Sequence, residues 1–105
     1  MRKCVVVVIA ILAMCLLGAK SKEGWPACVA DRGPETFNGF MQAIARQDDF
    51  AIEFYRLQRG CAAMKGNMEA EILETGPRGM VRVRIHPEGR EPVEVWTVKS
   101  ALTEE

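Results

Sequence analysis

The chain is short of the groups that most chemistry needs. It has a single histidine, His86, in 105 residues. His86 sits at a strand end beside Pro87 with no serine or cysteine next to it to activate, so it reads as a solvated turn residue rather than a catalytic base. No Cys-x-x-Cys pair occurs, which removes the usual redox spacing, and Cys28 and Cys61, the two of four cysteines outside the N-terminal apolar run, do not make a zinc ligand set with the distant His86. No glycine-rich phosphate loop is present, because Gly76, Gly79 and Gly89 sit among turn residues. Basic and acidic residues balance at 14 each, so no basic stripe marks a nucleic-acid surface. No internal repeat or low-complexity segment stands outside the N-terminus. Glu69, Glu71 and Glu94 alternate with apolar residues beside arginines, the pattern of a solvated strand face rather than of the carboxylate pair of a glycosidase. These absences point away from an enzyme, and they imply neither a cofactor nor a metal.

What the chain does have begins at its N-terminus. Arg2 and Lys3 are followed by uninterrupted apolar sequence from Cys4 to Leu17, then by the small residues Gly18 and Ala19. This is the layout of a secretory signal peptide over residues 1–19, with cleavage after Ala19. The run falls short of the roughly 20 residues of a spanning helix, so contact with the membrane is transient, with an uncleaved anchor as the alternative. Leu12, Ala13, Met14 and Cys15 also resemble a lipobox, which would make Cys15 the lipidated residue of a bacterial lipoprotein. Removing 19 residues leaves one small domain, residues 20–105, with a net charge near −2. The location expected is periplasmic or secreted.

Cys28 and Cys61 remain after cleavage, and two cysteines in an exported chain most simply form one disulfide. The bridge closes a loop of about 34 residues, which chain entropy values at roughly 3 to 4 kcal/mol. Ahead of it, Lys20 to Gly33 reads as an extended polar lead, with Trp25 as a plug under a sheet or, alternatively, an exposed contact.

Two helices follow. Pro34 and Glu35 suit a first turn, and Phe37, Phe40, Met41, Ile44 and Ala45 recur at helical spacing, with Gly33 at the cap and Gly39 weakening the helix from inside. Asp48 and Asp49 look like the cap of a second helix, in which Phe50, Phe54, Leu57 and Cys61 recur at four, three and four. Gly60 suits a left-handed end. The Phe-rich faces are expected to form the lid of a sheet. Ala62 to Asn67 reads as a flexible connector and Thr103 to Glu105 as a polar tail.

Met68 to Leu102 reads as three strands and two turns. Met68, Ala70 and Ile72 alternate with Glu69 and Glu71, and Val81, Val83 and Ile85 alternate with Arg82 and Arg84, so a hairpin would set Glu against Arg on its outer face. In the third run Val93 and Val95 face one way and Glu94, Trp96 and Val98 the other, as in a strand covered on both sides. Residues Thr75–Gly79 and His86–Pro92 carry the turn chemistry. The fold class expected is α+β: two short helices packed on a three-stranded antiparallel meander or a small SH3-like barrel, with one disulfide.

The Val-Arg-Val-Arg strand, the turn at Gly89 and the closing Val95-Trp96-Thr97 resemble the small SH3-like barrels of bacterial envelope proteins, over roughly residues 66–102. That resemblance implies binding through an aromatic surface groove, for which Trp96 and Tyr55 are the candidates, with Trp96 alternatively a core residue. The function expected is a non-catalytic binding module of the cell envelope that holds a peptide, a wall fragment or a protein partner. The alternative is an inhibitor or immunity protein that blocks an enzyme with the turn Glu88–Glu91.

Overall fold

The computed structural model of the protein describes residues 19–103. The apolar N-terminal run and Cys15 lie outside these residues. The described chain is α+β: two helices and a seven-stranded antiparallel sheet curled into a half-barrel, with one disulfide. The strands are β1 (Ala19–Ser21), β2 (Pro26–Val29), β3 (Cys61–Ala63), β4 (Glu69–Thr75), β5 (Met80–His86), β6 (Val93–Val98) and β7 (Leu102–Thr103). The helices are α1 (Pro34–Ala45) and α2 (Asp49–Gln58). Across the sheet the order is β3-β2-β6-β5-β4-β1-β7.

The central meander β4-β5-β6 is the part that period-two patterning marks, and its first hairpin sets Glu against Arg as expected, with Glu71 opposite Arg84; the register also puts Ile72 opposite Val83 and Val83 opposite Val95. The expectation of three strands is corrected by four more. They have three, four, three and two residues, too few for an alternating pattern to show, and each is held by partners far away in sequence. The extended lead supplies β1 and β2; the connector after Gly60 supplies β3; Leu102 and Thr103 leave the tail to pair with β1. β1 begins at Ala19, opposite Ala70.

Alternation along the meander splits the apolar residues into two cores. On the inner face Ala70, Val81, Val83 and Ile85 gather Ala19, Ala27, Met64, Ala101 and Leu102, with Trp25 packed at their margin as the expected plug. Small residues at four of these positions let the sheet close tightly, and a register shift between Ile72 and Glu74 adds local bend to β4. The polar groups inside are matched. Thr97 Oγ1 donates to the Pro26 carbonyl at 2.8 Å, and Ser21 Oγ donates to the Lys65 carbonyl at 2.6 Å while accepting from the Met68 amide at 3.0 Å. Ser21 thereby stitches the segment between β3 and β4 onto β1.

The second core lies on the outer face under the helices, where Cys28, Phe37, Phe40, Cys61, Met80 and Trp96 pack together. Cys28 and Cys61 are direct partners across β2 and β3, with Cα atoms 3.9 Å apart, and they carry the disulfide. α1 buries Phe37, Phe40 and Ala43 against this face. Its N-cap, Gly33, makes no side-chain cap bond, whereas Asp48 caps α2 by accepting from the Ala51 amide at 3.1 Å. Gly60 takes φ 72° and its carbonyl accepts from the Val29 amide at 3.0 Å, so the left-handed turn delivers Cys61 to its strand.

Candidate functional site

α2 departs most from what its sequence implies. Its Phe50, Phe54 and Leu57 were the expected lid, yet none of its residues is fully buried. Phe50 is 86% exposed, Leu57 70% and Phe54 41%. The helix instead touches the protein through Ile52 and Tyr55, which pack against the outer core. At 100° per residue these two lie nearly opposite Phe50 and Leu57 on the helix, so α2 has an apolar stripe on each side. Periodicity finds both and cannot say which one the fold uses. Contact with α1 decides it. Gly39 sits in the middle of α1 with the Tyr55 hydroxyl against it, where any side chain would collide. Tyr55 can reach the Phe40 ring, 6.0 Å away between centroids, only because position 39 is empty.

The outward stripe is ordered by its own neighbours. Phe54 meets Tyr55 edge to face at 5.7 Å, and the Arg59 guanidinium lies over the Phe54 ring at 5.4 Å. Arg56 pairs with Glu53 at 3.0 Å. Asp48 and Asp49 stand at the N-terminal end of the helix and Arg56 and Arg59 at the other, each sign at the end where the helix dipole favours it. Ile44, 38% exposed, ends α1 close by in sequence.

Trp96 occupies the core position that the sequence also allowed. It is 5% exposed, directly opposite Cys28 on β2, and its six-membered ring is closed over by the turn at Gly76, where a Cβ would come within 2.8 Å. Only its margin reaches the surface, in an open groove of about 580 Å³ formed with Val29, Pro34, Arg82 and Glu94. Trp96 and Tyr55 belong to one apolar cluster; neither stands out from the surface as a platform.

Beyond the helices the outer face of the meander is a ladder of charge. Arg84 reaches Glu71 and Glu94, both at 3.2 Å, and Arg82 reaches Glu94 at 2.7 Å and Glu74 at 2.9 Å. The hydrogen bond that Arg82 donates to Glu74 first, and then the nearby carboxylate charges, raise the Arg82 pKa above its ordinary value, against the opposing effect of desolvation. These carboxylates are committed to arginines across three strands, the outcome that the Glu and Arg alternation anticipates.

A second cleft, of about 930 Å³, is lined by Lys20, Lys65, Glu69, His86, Glu88 and Arg90 among others. His86 is not the solvated turn residue expected from sequence: it ends β5 half-buried, and its Nε2 is buried without a hydrogen-bond partner among the described residues. The turn Glu88–Glu91 is exposed throughout. Among the described residues no cluster of three or more His, Cys, Asp or Glu side chains could hold a metal ion, and no helix is long and apolar enough to cross a membrane.

No family model matches the chain, and no curated protein or solved structure matches it either.

Proposed function

We propose that the protein is an exported, non-catalytic interaction module of the bacterial cell envelope, and that it grips a protein partner through the outward face of α2. The observation that carries this reading is the stripe of Phe50, Phe54 and Leu57 left in water on a helix that is otherwise well capped and docked. Covering a Phe or Leu side chain fully contributes about 1.5 to 3 kcal/mol. Weighted by their exposed fractions, these three therefore offer about 3 to 6 kcal/mol, before the cost of association, to any surface that shields them. Phenylalanine is among the residue types enriched at protein interfaces. Several other features support the reading. The disulfide fits an oxidising compartment, and the N-terminal sequence fits export. Glu71, Glu74 and Glu94 of the meander are each paired with an arginine. On this reading the contact surface lies on the covering helix instead of in an aromatic groove of the kind that small SH3-like barrels use.

The inhibitor reading retains one favourable observation, the exposed turn Glu88–Glu91. A photoreactive phenylalanine analogue separates the two when placed at position 50 or at position 90 in cells that express the protein. Adducts with another protein from position 50 support the α2 surface. Adducts from position 90 alone transfer the function to the turn and defeat the assignment to α2.

A further inference from the structure

The outward stripe of α2 is self-complementary. Counting outward from the midpoint between Glu53 and Phe54, Phe50 mirrors Leu57 and Asp48 mirrors Arg59. A second α2 laid antiparallel on the first about a two-fold axis at that midpoint sets Phe50 of each chain against Leu57 of the other. The same arrangement brings each acidic end, Asp48 and Asp49, to the basic end of the other helix, Arg56 and Arg59. A parallel arrangement would instead put like charges together and align the two helix dipoles.

We infer that the occupant of this face is a second copy of the chain, in a two-fold symmetric dimer whose α2 helices run antiparallel. The inference rests on the reading of α2 as the contact surface. An isologous interface of this kind needs one patch that complements itself, and α2 supplies it. Phe50 and Leu57 lie seven residues apart and so share nearly one line, about 10 Å along the axis. They make a row of knobs that an identical row can pass beside at the packing distance of about 8 to 10 Å between helices. The area sets the strength. From the exposed fractions of Phe50, Phe54 and Leu57, the apolar surface available is on the order of 350 Å² per copy, less than half the roughly 800 Å² per partner of a standard interface. An interface of that size falls with the weak, transient class, so the dimer exchanges readily with any partner that covers the stripe better.

The test is sedimentation of the oxidised protein, from Gly18 onward so that every described element is retained, between 1 μM and 1 mM. The expected result is a concentration-dependent shift from monomer to dimer. Phe50→Asp should abolish that shift with an unchanged circular dichroism spectrum and melting midpoint, because position 50 makes little contact within the chain. Orientation is read from cysteine variants: a mixture of Phe50→Cys and Leu57→Cys chains should cross-link to each other faster than either does to itself. A monomer throughout, a dimer indifferent to Phe50→Asp, or faster 50-to-50 cross-linking would each overturn the proposal. A monomeric protein that still forms adducts with another protein from position 50 would remove the self-pairing and leave the proposed function in place.

Discussion

Reduction of the Cys28–Cys61 bridge should be the largest single perturbation available to this domain. The two cysteines are 33 residues apart in sequence, and the loop they close contains both helices. Opening such a loop restores chain entropy to the unfolded state equivalent to about 4 kcal/mol at 25 °C, against a total of 5 to 15 kcal/mol for a typical domain. For a chain of this size that corresponds to a fall of roughly 15 to 30 °C in melting midpoint. Reduction is a cleaner perturbation than substitution, since both sulfurs stay in the outer core and its packing is kept. The structure also says where the loss concentrates. β3 has three residues and pairs with β2 alone, at the edge of the sheet, so without the bridge it has little to hold it. Urea unfolding with and without reductant measures the size of the effect, and amide hydrogen exchange measures its place. Protection should vanish first at Cys61–Ala63 and persist in β4, β5 and β6. A loss below about 1.5 kcal/mol together with unchanged protection in β3 would refute the reasoning, because the edge would then be held by its strand pairing.

Two further substitutions test the local packing. Replacing glycine by alanine inside a helix ordinarily stabilises by up to about 1 kcal/mol, but Gly39→Ala should destabilise by about 1 to 3 kcal/mol in thermal unfolding, since the new methyl meets the Tyr55 hydroxyl; a stabilised variant would show that α2 yields at no cost. Glu94 accepts from both Arg82 and Arg84, whereas Glu74 accepts from Arg82 alone. Glu94→Gln should therefore lower the melting midpoint more than Glu74→Gln, with the difference shrinking in 1 M salt, where charges are screened beyond about 3 Å; equal effects of the two variants would mean that the ladder acts as independent pairs. The raised Arg82 pKa adds stability that is fully present below its unfolded value and is lost only as the pH rises through the higher folded value. No part of that contribution should vary in titrations between pH 5 and 9.

Sequence alone determined the elements whose signals are local. Alternation in Met80–His86 and Val93–Val98 marked the central strands and the side chains that face inward, because one slip would turn Val83 out and Arg84 in. Asp48, Gly60 and Pro34 marked the helix limits because caps and turns depend on one or two residues. Cys28 and Cys61 were paired by elimination, since no other cysteine remained once the N-terminal segment was set aside. Tertiary structure decided the rest. Strands of two to four residues exist only because β1, β2, β3 and β7 find partners far along the chain. Trp96 carries the same letters whether it lies in a groove or in a core, and only the approach of Gly76 on one side and the disulfide on the other buried it. α2 shows the limit most clearly: both of its sides are apolar, and the missing side chain at Gly39, on another helix, chose Tyr55 and Ile52 for the interior and left Phe50 and Leu57 in water.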